Sequence, residues 1–174
     1  MYEMFLGPLE QDKPWNTAGI SGVHNFLKKT WRLFHDQEKL IVTNSKPSPE
    51  AYKILHQTIK KVTDDIERYS FNTCISTFMI CVNELSALKC SNREILAPFI
   101  VLLSPFAPHF SEELWSVWGH YKSIEFEPFP LFDPSHVTET TKDYPVSFNG
   151  KMRFTLKLSL SLSIDEIKEI VINE

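Results

Sequence analysis

The chain has 174 residues, 43% of them hydrophobic and 23% charged, so it can bury one sizeable core with a small additional unit. Its net charge of −4 excludes capture of nucleic acid by overall charge, so any RNA contact must use a local basic face or a larger body. Cys74, Cys81 and Cys90 lack CxxC and histidine-ligand spacing, which excludes a zinc site and predicts reduced core thiols.

The first 18 residues predict the end of a helix followed by an extended loop. Tyr2, Phe5 and Leu6 have helical spacing, and Gly7-Pro8 stops that helix. Trp15 lies in the loop that follows. A loop tryptophan is typical of an anchor into a neighbouring surface, and stacking on a ligand is the alternative.

A helix is predicted from about Gly19 to Asp36. Its buried stripe is expected to be the apolar residues at helical spacing, namely Ile20, Val23, Leu27, Trp31 and Phe34. The opposite face has polar and basic residues at three- and four-residue steps, namely Asn25, Lys28, Lys29 and Arg32. Such a face is consistent with simple solvation, and also with a ridge that contacts nucleic-acid phosphates.

Two long helices are predicted next. Ser48-Pro49-Glu50 supplies an N-cap, a first-turn proline and a first-turn acid. The helix that it starts has an apolar stripe (Ala51, Leu55, Ile59, Val62, Ile66, Tyr69) and a charged outer face (Lys60, Lys61, Asp64, Asp65, Glu67). Residues 71–88 form the following helix, whose buried side includes the cysteines and Leu88. Ser91-Asn92-Arg93-Glu94 predicts a capping box for the next helix.

Residues 95–103 are apolar on all sides and too short to span a bilayer, so we predict a fully buried central helix. Pro98 is expected to interrupt it, and Ser104-Pro105 to end it.

An amphipathic helix is predicted to start near Pro108. Glu112 and Glu113 lie toward its positive N-terminal end, and its apolar side is Leu114, Trp115, Val117 and Trp118. His109 has no Ser, Cys or Asp nucleophile pattern beside it. We therefore expect His109 and Trp115 to be packing residues, with no catalytic role.

The sequence changes character after Gly119. Residues 121–143 contain three prolines and no helical period, which predicts an extended connector. Alternating apolar residues on both sides of Asn149-Gly150 predict a β-hairpin, whose second strand continues to Leu162. Ser163 to Glu166 is a capping box that opens a short helix. One hairpin and one helix cannot form an independent core, so we expect a piece of a longer protein.

These patterns predict a mainly α fold: a helical bundle over residues 1–120, a connector over 121–143, and the beginning of a small β/α domain over 144–174. No glycine-rich loop, HExxH, GxSxG or P-loop is present, so no catalytic or metal-binding residue is predicted. There is no basic leader before an apolar run, which predicts a cytoplasmic protein without a membrane anchor.

Three motifs resemble one family. GPLEQDKPWNTAGISGVHNFLKKTWRLF (residues 7–34) resembles the start of the C-terminal helical domain of bacterial leucyl-tRNA synthetases. SPFAPHFSEELW (residues 104–115) resembles a signature shared by the leucyl, isoleucyl and valyl enzymes. FNGKMR (residues 148–153) resembles the turn that opens the small C-terminal domain of this family. Their order and spacing match, so the resemblance covers nearly the whole chain.

The resemblance implies an anticodon-binding fold within a class I synthetase that attaches leucine to its tRNA with ATP and Mg²⁺. The ATP-site motifs are absent here, so this piece is expected to hold no cofactor and to be inactive alone. The implied partners are tRNA-Leu and an upstream catalytic domain.

Five cations are the candidate contacts with the tRNA backbone: Lys28, Lys29, Arg32, Lys151 and Arg153. Family members often have Arg where this chain has Asn25, which removes one expected cation. Lys13 and Trp15 are expected to pack against the catalytic body, with tRNA contact as the second interpretation. The alternatives are a free-standing helical module that binds protein and the corresponding domain of an isoleucyl or valyl enzyme.

Overall fold

The computed structural model describes residues 1–138, 141–148, 151–159 and 162–173, and it divides the chain into two compact units, Met1–Val137 and Thr138–Glu174. The first unit contains six helices: α1 Tyr2–Phe5, α2 Ile20–Phe34, α3 Pro49–Glu67, α4 Phe71–Ala87, α5 Arg93–Leu103 and α6 Pro108–Val117. It also contains a small hairpin of β1 His35–Asp36 and β2 Lys39–Leu40. The predicted mainly α fold is confirmed.

The core of the first unit surrounds α5. Ile95, Leu96 and Phe99 are buried, and the Phe99 ring meets Phe78 of α4 edge to face at 6.1 Å. Pro98 lies inside α5 without ending it, so the predicted interruption there is wrong. Ala97, Pro98 and Val101 are half-buried, so α5 is not buried on every side as predicted; burial of its other residues offsets the one amide donor that proline lacks. The predicted end at Ser104 is confirmed.

Helix α3 begins as predicted, because the Ser48 hydroxyl accepts the Ala51 amide at 3.2 Å. Its predicted outer face is partly wrong. Asp65 is only 4% exposed, and its carboxylate accepts hydrogen bonds from Lys61 and Thr73, which satisfy the buried charge. Tyr69 lies beyond the end of α3 and is exposed, so it does not belong to the stripe.

The predicted capping box at Ser91 does not form. Helix α5 begins one residue later, at Arg93, and its N-cap Asn92 makes no side-chain cap. The Asn92 amide group donates to Ser45 instead, at 2.9 Å, and the Arg93 amide donates to the Thr43 carbonyl at 2.8 Å. A tertiary contact with the loop before α3 has replaced the local cap.

Helices α3, α4 and α6 end in the same hydrogen-bond pattern. At the end of α4, the Lys89 amide donates to Ser86 and the Cys90 amide donates to Leu85. This pattern needs a residue with positive φ, usually glycine. Gly119 fills that position after α6, but Tyr69 (φ 57°) and Lys89 (φ 51°) fill it after α3 and α4.

Trp115 and Trp118 of the α6 segment are buried, as predicted, whereas Val117 is exposed. His109 is also exposed, in the first turn of α6, so it does not pack in the core of this unit; its packing against another domain stays a prediction. The Glu112 carboxylate does not lie in the first turn. It accepts the Ser123 hydroxyl and fixes the chain that leaves α6.

The cysteines are buried as predicted, and burial raises the pKa of Cys74 to about 11 and of Cys81 to about 12. Leu88, expected on the same side of α4, is exposed. After α6 the chain makes two 3₁₀ turns, Ile124–Phe126 and Pro134–His136, and Ile124 is buried in the core.

The second unit pairs β3 Thr141–Phe148 with β4 Lys151–Ser159 in antiparallel register and ends in α7 Ile164–Asn173. The predicted turn residues Asn149 and Gly150, and Leu160, lie outside the described residues. The register shifts between Val146 and Ser147, so Arg153 has no partner residue opposite it. The predicted capping box of α7 is confirmed, because Ser163 and Glu166 bond each other's backbone amides.

Candidate nucleic-acid interface

Helix α2 positions the predicted basic face. Its buried side is Val23, Phe26, Thr30, Leu33 and Phe34, which is rotated from the predicted stripe: Ile20 is exposed, and Leu27 and Trp31 are half-buried. Thr30 tolerates burial because its hydroxyl donates to the Phe26 carbonyl at 3.0 Å. Polar Thr30 interrupts the run of Phe26 and Leu33 at helical spacing, so the sequence pattern favoured the neighbouring stripe, which is apolar throughout.

Lys28, Lys29 and Arg32 lie together along one groove, as a face at three- and four-residue steps requires. This groove, which we call the basic groove, has a volume of about 720 Å³ and runs between α2 and the end of α4; its lining includes Asn25, Ser86, Lys89 and Ser91. Lys29 is held across it, because its ammonium donates to the Asn83 side chain at 2.7 Å. In the part of the chain that the structure describes, Lys28 and Arg32 make no ion pair.

Lys89 is a fourth cation of the basic groove, and sequence reasoning missed it. Its backbone has φ 51°, a left-handed conformation that disfavours every residue with a Cβ. The signal available in the sequence was the short link between α4 and α5, where glycine is expected and lysine occurs. A strained residue that also presents a charge to a groove is a candidate for function.

A second groove adjoins the first on the other side of Lys28 and Arg32. It has a volume of about 800 Å³, and we call it the Trp31 groove; it is lined by Lys28, Trp31, Arg32, His35, Asp36, Gln37 and Ile41. The Trp31 indole stacks on the His35 imidazole, with centroids 4.3 Å apart and planes 9° apart. Because Lys28 and Arg32 line both grooves, they form a basic ridge between them.

Of the other predicted site residues of the first unit, Lys13 and Trp15 line neither groove. Lys13 passes over Gly7, where a Cβ would overlap its ammonium, and Trp15 is 63% exposed and meets the Tyr2 ring edge to face at 5.8 Å. Lys151 and Arg153 are exposed on β4 of the second unit. The roles predicted for these four residues stay predictions.

The described residues contain no group of three or more His, Cys, Asp or Glu side chains placed to hold a metal ion. Among those same residues, no helix is long and apolar enough to cross a bilayer.

Comparisons with known proteins identify the family of the chain. A family model for the anticodon-binding domain of tRNA ligase matches residues 49–170. The chain is 60% identical over 171 residues to the leucine–tRNA ligase of Christiangramia forsetii, covering 98% of this chain and 18% of the relative. It is likewise 60% identical over 174 residues to that of Flavobacterium johnsoniae, again 18% of the relative. The chain thus spans about a fifth of the length of these curated relatives.

A solved structure has the same fold. It is the crystal structure of the ternary complex of the Agrobacterium radiobacter K84 agnB2 LeuRS with tRNA and LeuAMS. Its TM-score is 0.72 at 28% identity, with 99% of this chain and 24% of that chain covered. The predicted resemblance is confirmed, and the chain belongs to the family of anticodon-binding domains of tRNA ligases.

Proposed function

We propose that this chain is the tRNA-positioning domain of a leucine–tRNA ligase. The observation that carries the proposal is the basic groove, where Lys28, Lys29, Arg32 and Lys89 face one surface of a chain with net charge −4. Concentrating four cations in one groove creates the local basic face that an acidic protein needs in order to hold RNA.

The chemistry of this groove fits phosphate contacts. Lysine and arginine ammonium and guanidinium groups bind phosphate oxygens whatever the base, so they fix the register and orientation of an RNA without reading its sequence. A ligase gains from this because the tRNA 3′ end must reach a distant reaction centre. A misplacement of about 1 Å can cost roughly 100-fold in rate.

The proposal extends to the longer protein. The full ligase would bind leucine, ATP and Mg²⁺ in an upstream catalytic domain and transfer leucine to tRNA-Leu in the cytoplasm. Lys13 and Trp15 would pack on that catalytic body. Residues 144–174 would begin a further small domain, in which Lys151 and Arg153 contact the tRNA backbone. Identity of 60% to leucine–tRNA ligases favours leucine over isoleucine or valine.

The test uses a full-length ligase that contains this chain, with Lys28→Ala and Arg32→Ala combined. We expect weaker, more salt-sensitive tRNA binding and slower aminoacylation, with unchanged leucine-dependent ATP–pyrophosphate exchange. Lys46→Ala with Lys122→Ala, two exposed lysines that do not line the basic groove, is the control. Equal loss of both activities in the first variant would mean that α2 is structural only.

One observation favours a second candidate, a helical module that binds protein. Tyr121, Phe126 and Leu131 are strongly exposed in the segment after α6. If this surface were the functional one, Phe126→Ser with Leu131→Ser would abolish activity of the ligase and the ridge variant would not.

A further inference from the structure

The Trp31 groove differs in chemistry from the basic groove beside it. It combines two cations, Lys28 and Arg32, with a half-buried indole and the side-chain amide of Gln37. Asp36 is its one carboxylate, so the groove keeps a net positive charge. A surface that binds only phosphates needs neither an aromatic ring nor an amide. The combination of aromatic face and cations is typical of sites that bind unpaired nucleotides.

His35 supplies the second observation. Its side chain is 5% exposed and lines the groove, and its Nδ1 has no hydrogen-bond partner among the described residues. A buried polar atom without a partner is unfavourable, and native proteins rarely keep one without a role. His35 also stacks on Trp31, so the two rings support each other beneath the groove.

The local backbone holds these groups in place. The Ile41 amide donates to the Phe34 carbonyl at 2.8 Å, and the β1–β2 hairpin pairs His35 with Leu40 and Asp36 with Lys39. Gln37 lies at the turn of this hairpin with φ 54°. A tight turn directly after α2 thus presents the Gln37 amide beside Trp31 and the ridge.

We propose that the Trp31 groove binds one unstacked nucleotide of the bound tRNA. Its base stacks on the Trp31 indole, its edge hydrogen-bonds with the Gln37 amide, and its phosphate lies at the ridge of Lys28 and Arg32. His35 covers the other face of the indole and supports the ring from that side. This inference rests on the proposed function, because the nucleotide belongs to the same RNA that the basic groove positions.

Binding of an unstacked base differs from contact with the RNA backbone alone. Paired RNA presents phosphates, but its bases are stacked and give no free face to an indole. A nucleotide of a loop, bulge or end can leave its stack and be held by aromatic rings. The Trp31 groove would therefore recognise a position where the tRNA is unpaired, whereas the basic groove would contact phosphates of paired and unpaired RNA alike.

The test compares the full-length ligase with its Trp31→Leu variant on tRNA-Leu. Base reactivity toward dimethyl sulfate and backbone protection are measured in each complex. We expect one unpaired base to be protected by the wild-type protein and exposed by the variant, with backbone protection retained. Affinity should fall roughly 5- to 150-fold, the range for loss of one stacked base. Trp31→Phe should restore protection, and Tyr69→Leu, an exposed aromatic outside both grooves, should change nothing.

Identical base protection and affinity in the wild type and Trp31→Leu would overturn the inference and leave the proposed function standing. Absence of any tRNA protection by the wild type would overturn both. If Trp31→Leu does not fold, Gln37→Gly replaces it, because φ 54° suits glycine and the fold is retained. That variant should expose the edge of the same base, and unchanged protection would again overturn the inference.

Discussion

Replacement of Lys89 by glycine tests two roles of this residue at once, its strained backbone and its charge in the basic groove. Lys89 occupies the left-handed position that closes α4, where its backbone amide donates to Ser86. Glycine adopts this conformation without a clash between Cβ and the following carbonyl. The substitution keeps the helix end intact and removes one ammonium from the basic groove.

Lys89→Gly is expected to preserve or raise the stability of the domain and to lower its affinity for tRNA. A residue with a Cβ in the left-handed conformation costs roughly 1–2 kcal/mol, and glycine loses about 0.5–1 kcal/mol more chain entropy on folding. Lys89→Gly should therefore leave the free energy of unfolding unchanged or raise it by up to about 1.5 kcal/mol. Loss of one phosphate contact should reduce the slope of log affinity against log salt by about 1. The affinity ratio of wild type to variant should therefore be roughly eightfold larger at about 0.1 M salt than at about 1 M.

The assay is urea unfolding together with tRNA titration over a range of salt, in the full-length ligase. Tyr69→Gly is the matched control, because Tyr69 has the same conformation at the end of α3 and does not line either groove. It should gain similar stability and bind tRNA like the wild type. Equal tRNA binding by Lys89→Gly and wild type would refute the role of Lys89, and a clear loss of stability would refute the strain.

Three further substitutions test other parts of the account. His35→Phe keeps the stack on Trp31 and removes the unpartnered nitrogen, so the free energy of unfolding should rise by about 1–3 kcal/mol with tRNA binding unchanged; a less stable variant would contradict this. Burial lowers the pKa of His56 from 6.5, and its Nδ1 accepts the Asp133 amide, so stability should fall as pH drops below about 6.5; the fall should be smaller in His56→Phe, as thermal melts can check. Asp65→Ala should destabilise by about 1–3 kcal/mol and the more accessible Asp64→Ala clearly less, and similar urea midpoints would contradict the buried role of Asp65.

Apolar periodicity predicted every long helix, because burial of a stripe is a local property of sequence. It failed where a polar residue is buried with its own partner, as at Thr30 and Asp65. Capping shows the same limit. The box at Ser163 formed because its partner Glu166 is only three residues away, whereas Asn92 is held by Ser45, 47 residues away.

The candidate site could be predicted only in part. The spacing of Lys28, Lys29 and Arg32 placed them on one face, and the groove follows from that. Lys89 and His35 could not be added from sequence, because the first depends on how α4 ends against α2. The second depends on the turn that brings His35 beneath Trp31. The first is a tertiary relation. The second is local, four residues after Trp31, but the helical period does not show that the chain leaves α2 at His35.

The central claim is that this domain holds tRNA through the charges of the basic groove. The most direct measurement is the slope of log affinity against log salt for tRNA-Leu and the full-length ligase, with Lys28, Lys29, Arg32 and Lys89 all changed to Gln. Four lost phosphate contacts should reduce the slope by about 4 relative to the wild type. Parallel lines for the two proteins would contradict the claim.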